Sequence, residues 1–153
     1  MLKVLYMKHV KLNTTPEISK RMSNVKLKRN QEEKILAKAL WHRGYRYRVN
    51  DKKLPGSPDI ALLRYNIAIF VDGEFWHGKN FEINKNQTKT NQEYWHAKIL
   101  ENINRDKHND FLLRQIGWIP LHFWSNDIIK NLDYCIREIE EFIETQSNGM
   151  TKD

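Results

Sequence analysis

The sequence predicts a single α/β domain in which a mixed sheet lies between helices. Helical and strand patterns alternate along the chain, which is typical of this class. The length of 153 residues suits one domain, and the 40% hydrophobic and 29% charged fractions are those of a globular protein. The chain shows no internal repeat and no linker. We therefore expect one domain over residues 1–153, with a core of about 14–145 and a flexible tail at 146–153.

Two helices are expected before the first strand. Thr15 and Pro16 have the residue types of a helix cap and a first helical position, so a short helix should begin there. The basic stretch 26–29 then reads as a link. A second helix is expected from Asn30 to a stop at Gly44.

Three strands should follow, and the last two of them form a hairpin. Tyr45–Val49 alternates aromatic and basic residues, as a half-exposed strand does. Leu54–Pro58 is a rigid turn. Asp59–Leu63 and Ile67–Asp72 are short apolar strands joined by the loop 64–66.

The second half of the chain is expected to contain a loop, a helix, a strand and a helix. Residues 79–92 are polar and predict a surface loop. A long helix over Gln92–Ile116 should end at Gly117. Trp118–Trp124 predicts a further strand, and Asp127–Thr145 an amphipathic closing helix.

Charge and composition restrict the kind of partner. The net charge of +7 favours an anionic partner, with nucleic acid first and a membrane surface second. No stretch has the run of about eighteen apolar residues that a membrane span needs. Because Cys135 is the single cysteine, an internal disulfide and a cysteine-rich zinc site are excluded. A cytosolic setting is compatible with this composition.

Carboxylates lie at the ends of the two hairpin strands. Asp59 follows Pro58 at the start of one strand, and Asp72 and Glu74 follow the other. If the strands pair, these carboxylates converge, and hard oxygen ligands suit Mg²⁺. The pattern is the outline of the PD-(D/E)XK nucleases, although Glu74 replaces the usual lysine. The alternative is that Asp59 is only a turn acid.

Three further residues are candidates for acid–base chemistry. His77 follows the strand and could act as a general base near a metal-bound water, or be a surface histidine. Asp106 shares the inward-facing stripe of the long helix with Ile99, so it needs a partner, and orienting a histidine is a common use. Glu33 is either the return half of a capping box begun at Asn30 or a catalytic acid.

The aromatic residues allow two interpretations. Aromatic side chains mostly fill cores, and Trp118 and Trp124 are expected to do so. Phe75 and Trp76 are adjacent, so they cannot both face inward along an extended chain. Trp95 is expected at the exposed start of its helix. Exposed aromatics in a basic protein favour stacking on bases.

Five motifs together resemble the very-short-patch-repair (Vsr) endonuclease family: SKRMSNVK, LPGSPDIAL, IFVDGEFWHG, TNQEYWHAKILENINRD and IGWIPLHFW, from about Ser19 to Asn126. The resemblance implies a restriction-endonuclease-like fold and a Mg²⁺-dependent enzyme that nicks double-stranded DNA beside a T·G mismatch. It also implies a cytoplasmic protein of bacterial or phage type. The alternatives are a homing or restriction endonuclease with another target, and a DNA-binding module whose nuclease site is inactive.

The same resemblance assigns roles to the catalytic candidates. It implies that Asp59 binds the metal, with Val71 contributing its backbone carbonyl. His77 becomes the general base and Asp106 the acid that orients it. Glu33 becomes the active-site glutamate of the N-terminal helix.

The resemblance also assigns DNA contacts and marks two departures. Phe75, Trp76 and Trp95 fall where the family inserts aromatics from the major groove, and Met22 where a residue enters from the minor groove. Asp72 stands where some members have histidine, and is a candidate for either a further metal ligand or a residue on the phosphate side of the site.

Family members hold a structural zinc, but the matching positions here are Glu74, Lys79 and Asn126. Cys135 lies too far along the chain to replace them. We therefore expect no structural zinc.

Overall fold

The computed structural model describes residues 16–74 and 92–150, apart from the side chains of residues 18, 19, 21–30, 92 and 150. None of the helices in these two ranges is long and apolar enough to cross a membrane. The elements in chain order are α1 (Pro16–His42), β1 (Arg48–Val49), β2 (Ile60–Leu62), β3 (Ile67–Asp72), α2 (Gln92–Gln115), β4 (Ile119–Trp124), α3 (Ser125–Lys130) and α4 (Leu132–Met150).

The described strands form one mixed sheet in the order β1-β2-β3-β4. β1 pairs with β2 and β2 with β3 in the antiparallel sense, and Ile60 lies opposite Ile69. β3 and β4 are parallel, with Val71 opposite Phe123. A parallel pair needs a long crossover, and here the connection includes α2. The predicted mixed sheet and the predicted hairpin are both confirmed.

The two faces of the sheet are covered differently. Side chains alternate along a strand, so Ile67, Ile69 and Val71 of β3 point to one face and Ala68 and Phe70 to the other. The first face packs against α1, α3 and α4 in the main apolar core: Leu36, Leu40, Ile60, Leu62, Ile67, Ile69, Val71, Phe123, Ile128, Cys135, Ile136, Ile139 and Ile143. The second face packs against α2 through a small cluster of Ala68, Phe70 and Leu113.

The N-terminal region is one helix, which corrects the expectation of two. α1 runs without a break from Pro16 to His42, through the basic stretch 26–29. Lysine, arginine and leucine are good helix formers, and this stretch contains no glycine or proline to interrupt the backbone. The predicted stop is confirmed, because Gly44 has a φ of +93° that favours glycine.

The C-terminal region is two helices where one was expected. The chain leaves the helical conformation at Asn131, with φ −136° and ψ 46°, between α3 and α4. α4 then continues past the expected end at Thr145 to Met150, and Gln146 Nε2 donates a hydrogen bond of 3.1 Å to the Tyr65 carbonyl. Much of the expected tail is therefore helical. The first strand is shorter than expected, since only Arg48 and Val49 pair.

Candidate active site

A polar cavity of about 390 Å³ lies between the sheet and α2. It opens where β3 ends and where the turn before β2 approaches α2. Its described lining residues are Gly56, Ser57, Asp59, Phe70, Val71, Asp72, Arg105, Asp106, Asn109, Asp110 and His122. Four of these are aspartates, so the hairpin and the long helix bring together carboxylates that are far apart in the sequence.

Asp59 is fixed at the mouth of the hairpin. Its Oδ2 accepts a hydrogen bond of 2.7 Å from the backbone N–H of Val71 on the neighbouring strand. The preceding turn packs closely, because a Cβ on Gly56 would lie 3.1 Å from Phe70 Cε1, and the φ of Gly56 is +78°. A turn that only glycine fits thus delivers Asp59 to the cavity. Asp59 also has further contacts within the structure.

Val71 contributes to the cavity through its backbone. Its side chain belongs to the main core on the opposite face of the sheet. Because side chains alternate across a strand, the part of Val71 that reaches the cavity is the peptide unit. This position suits the backbone role expected for Val71.

His122 joins two of the aspartates. Its Nδ1 lies 2.6 Å from Asp72 Oδ2, and its Nε2 lies 2.7 Å and 2.9 Å from the two carboxylate oxygens of Asp110. The ring stacks on Phe70 with centroids 4.7 Å apart. Partial burial of the ring lowers the pKa of His122, but the hydrogen bonds and charges of Asp110 and Asp72 outweigh it and raise the pKa to about 10.

Asp106 faces the same cavity from α2. It is half-buried and lines the cavity four residues before Asp110, so the two side chains lie on one face of the helix. Ile99 and Leu113 are buried on this side, as the inward stripe predicted. Arg105 also lines the cavity, and its guanidinium donates a hydrogen bond of 2.7 Å to Asn102 Oδ1.

The donors present fit Mg²⁺ better than a soft metal. In residues 16–74 and 92–150, no three histidine, cysteine, aspartate or glutamate side chains are arranged to hold one ion. Mg²⁺ does not need such a cage, because it keeps several waters and is commonly held by one or two carboxylates. The Asp59 carboxylate and the Val71 carbonyl are hard oxygen donors of the type that Mg²⁺ prefers, and both residues line the cavity. Asp72 has one oxygen engaged by His122.

One predicted catalytic residue does not line this cavity, and a second falls outside the described residues. Glu33 lies inside α1, is half-buried with a partner and does not line the cavity. Since α1 begins at Pro16, Asn30 is not a helix cap, and the capping-box interpretation of Glu33 is wrong. His77 lies outside the described residues.

The predicted DNA contacts are only partly visible. Phe75 and Trp76 lie outside the described residues, as does the side chain of Met22, whose backbone belongs to α1. Trp95 is 8% exposed, so the expectation that it is exposed is wrong. The first turns of α2 are covered at this position, and Tyr94 contacts the Trp95 ring edge-on with centroids 4.9 Å apart.

Two of the three positions where the resemblance implies zinc ligands contact each other directly. Glu74 Oε1 accepts a hydrogen bond of 2.7 Å from the backbone N–H of Asn126 at the start of α3. Next to it, Ser125 Oγ donates a hydrogen bond of 3.2 Å to the Asp72 carbonyl. Protein hydrogen bonds thus join the end of β3 to the start of α3. Lys79 lies outside the described residues.

Sequence reasoning missed His122 and Asp110. Both carry a readable signal: Asp110 is one helical turn after Asp106, and His122 is a polar residue in an otherwise apolar strand. Neither signal identifies the partner. Arg105 and Asn109 were missed for the same reason, since a polar residue on a helix is usually a solvated one.

Comparison with known proteins identifies relatives over most of the chain. Residues 11–83 match the family described as DNA mismatch endonuclease Vsr. The type II nicking enzyme V.HpaIIP of Haemophilus parainfluenzae is 46% identical over 132 residues, which are 84% of this chain and 93% of that protein.

Two other relatives extend this comparison. The type II nicking enzyme V.NmeDIP of Neisseria meningitidis serogroup C is 43% identical over 139 residues, which are 90% of this chain and 93% of that protein. The DNA mismatch endonuclease Vsr of Escherichia coli K12 is 36% identical over 107 residues, covering 70% of this chain and 68% of that protein.

Proposed function

The chain belongs to the Vsr family of DNA mismatch endonucleases, and from this membership we propose that it is a Mg²⁺-dependent endonuclease that nicks double-stranded DNA beside a T·G mismatch. On this proposal the mixed sheet and its helices form the restriction-endonuclease-like fold. The substrate is DNA, and the site of action in a bacterium is the cytoplasm.

The observation that carries the proposal is the pairing of Asp59 with Val71 at the acidic cavity. A carboxylate and a peptide unit of the neighbouring strand are held 2.7 Å apart, at the end of a buried hairpin. Rigid strands place these groups more accurately than loops do. Asp106 faces the same space from another element. A cluster of this kind repels a DNA phosphate unless a cation lies between them.

The chain's own residues have distinct tasks in this mechanism. Asp59 and the Val71 carbonyl would hold Mg²⁺, which when bound polarises a phosphate oxygen and neutralises charge. His77 is the general base that takes a proton from the attacking water. In this proposed role, Asp106 would accept a hydrogen bond from the other nitrogen of the His77 ring and so fix its tautomer. Glu33 is proposed as the active-site glutamate of the N-terminal helix.

DNA binding involves the segment that follows β3. Phe75 and Trp76 are proposed to stack on bases from the major groove, and Met22 to enter from the minor groove. The excess of basic residues, with a net charge of +7, favours contact with phosphates. Trp95 stays a proposed stacking residue, but because it is buried in the free chain, it can reach a base only if its surroundings move when DNA binds.

A nicking assay tests the proposal. Purified protein is incubated with end-labelled duplexes of one sequence that contain a T·G mismatch, a T·A pair, a C·G pair or an A·C mismatch. Each duplex is tested with Mg²⁺ and with a chelator. We expect a single-strand nick in the T·G duplex only, dependent on Mg²⁺.

Each of the other outcomes selects a different function. Equal cleavage of matched and mismatched duplexes would indicate a homing- or restriction-type enzyme with another target. Mg²⁺-independent binding without cleavage of any duplex would indicate a DNA-binding module. Zinc analysis of the same preparation tests the expected absence of structural zinc, because stoichiometric zinc would contradict it.

A further inference from the structure

The Asp72–His122–Asp110 bridge connects three elements at one wall of the cavity. Asp72 ends β3, His122 lies in β4 opposite Phe70, and Asp110 lies in α2. The imidazole has a carboxylate at each nitrogen, at 2.6 Å on one side and 2.7 Å on the other. The Phe70 ring stacks on one face of the imidazole. The His122 ring is therefore held by three neighbours, Asp72, Asp110 and Phe70.

The bridge needs both ring nitrogens as donors. A neutral imidazole has one N–H, so one carboxylate would then face a lone pair, whereas an imidazolium donates to both. Charge-assisted hydrogen bonds of this kind are shorter and stronger than neutral ones. The bridge is thus a firm link between the sheet and α2.

Within residues 16–74 and 92–150, the apolar cluster between α2 and this face of the sheet is small. On this face the apolar cluster is limited to Ala68, Phe70 and Leu113, with Leu54 and Trp118 packed against it. Leu113 lies three residues after Asp110, further from Asp106. Asp110 lies between Asp106 and Leu113 on α2, so its contact with His122 ties the stretch of α2 that carries Asp106 to the sheet.

We propose that His122 is a positioning residue for the nuclease reaction: by binding Asp72 and Asp110 it sets the place of Asp106 relative to Asp59. The inference rests on the proposed function and adds a residue to it. It also gives Asp72 a different task from the metal-ligand role expected from sequence, because Asp72 anchors the bridge. Groups that orient metal-site ligands typically change activity by about 10- to 100-fold when removed.

The experiment compares His122→Ala, Asp110→Asn and Tyr47→Phe with the wild-type chain. Single-turnover nicking of the T·G duplex is measured over a range of Mg²⁺ concentrations, alongside DNA affinity and melting temperature. Tyr47→Phe is the matched control, since it removes a 2.8 Å hydrogen bond to the Ala37 carbonyl far from the cavity. We expect His122→Ala to lower the rate at saturating Mg²⁺ by about 10- to 100-fold, with DNA affinity unchanged.

Two further measurements separate positioning from general loss of structure. Asp110→Asn keeps an acceptor for the ring but loses the charge, so its rate should fall less than that of His122→Ala. Added imidazole should restore part of the rate of His122→Ala, because it can occupy the vacated space and donate to both carboxylates. Tyr47→Phe should lose some stability and no activity per folded molecule.

The outcomes are distinguishable. Wild-type rates in both His122→Ala and Asp110→Asn, from a wild-type chain that nicks, overturn the inference alone. If His122→Ala does not fold, the rate of Asp110→Asn decides, and an unchanged rate overturns the inference. If the wild-type chain nicks no duplex, the proposed function fails and the inference with it. A lowered saturating rate with intact DNA affinity supports the bridge.

Discussion

The two faces of β3 use one strand for opposite purposes. Ile67, Ile69 and Val71 lie in the main core, where the surrounding helices cover them completely or nearly so. Phe70 and Asp72 point to the other face, where they line the acidic cavity below α2. The difference shows how a six-residue strand anchors the fold and positions the site at once. Substitutions on the core face should therefore change the free energy of unfolding, and substitutions on the cavity face should change the nicking rate.

The largest effect is expected on the cavity face. Asp59→Asn removes the carboxylate charge but keeps an oxygen that accepts the Val71 N–H, so the fold should be retained. Loss of a metal ligand removes several kcal/mol of transition-state stabilisation, so nicking should fall by about a thousandfold or more. Single-turnover cleavage and DNA affinity measure this, with affinity unchanged or increased.

The reverse pattern is expected on the core face, which serves as the control. Ile69→Ala should lower the free energy of unfolding by about 2–5 kcal/mol while leaving the nicking rate per folded molecule unchanged. Ile69 is fully buried two residues from Val71. Wild-type nicking by Asp59→Asn, or loss of chemistry in folded Ile69→Ala, would contradict the division between faces.

Trp95 tests whether α2 is held by apolar packing at its start. Because Trp95 is 8% exposed, Trp95→Ala should lower the free energy of unfolding by about 3–5 kcal/mol. Phe111→Ala is the control on the same helix, since Phe111 is 56% exposed and should change stability by about 0.5 kcal/mol or less. Thermal denaturation measures both. If both variants lost the same small amount of unfolding free energy, Trp95 would not be part of the core, and the exposed stacking role expected from sequence would be favoured.

The bridge gives the cavity face its own pH dependence. The folded pKa of His122, about 10, lies above its ordinary value of 6.5, so its stabilising contribution is complete below about pH 6.5. That contribution is lost as the pH rises through 10, and the free energy of unfolding should fall between pH 7 and 10. Among the described residues, the charged groups that share a cavity with His122 are Asp59, Asp72, Asp106, Asp110 and Arg105 on one side, and Asp127 and Glu138 on the other.

The Asp110→Asn variant provides the comparison with the wild-type chain, and both are measured with a chelator present so that no metal is bound. The variant removes one of the two charges that raise the pKa of His122, so the decline in stability should begin at a lower pH. Burial raises the pKa of the Cys135 thiol to about 11, which adds a decline of the same sign above pH 9 in both proteins. The difference between the two urea-denaturation profiles therefore reports the bridge. Parallel profiles would mean that Asp110 does not stabilise the imidazolium.

The smallest effect concerns a polar group on the core side. Glu32 is 1% exposed on the face of α1 that carries Leu36 and Leu40. Within the described part of the chain, its Oε1 has no hydrogen-bond partner. Glu32→Leu should therefore raise the free energy of unfolding by about 1–3 kcal/mol.

The exposed neighbour Gln31 provides the control for Glu32. Gln31→Leu should change the free energy of unfolding by about 0.5 kcal/mol or less. Urea denaturation measures both variants. A loss of stability in Glu32→Leu would show that the carboxylate has a role that its surroundings do not reveal.

Local patterns in the sequence determined the hairpin and the course of α2. Short apolar runs bounded by turn residues predicted β2 and β3, and the end of α2 before Gly117 was predicted from that glycine. These features depend on residues within one or two turns of each other. Asp59 and Val71 meet for the same reason, since a short hairpin connection fixes the register between its strands.

Longer-range features were decided by the tertiary structure alone. His122 meets Asp72 across 50 positions in the sequence and Asp110 across 12, and no local pattern selects those partners. Trp95 is buried although its polar neighbours predicted exposure. A contact between distant residues forms only when their elements are packed, because the packed fold offsets the entropy lost in bringing the chain segments together. The sequence by itself therefore determined which strands and helices carry the acidic residues. The packing of α2 on the sheet decided which of those residues lie together.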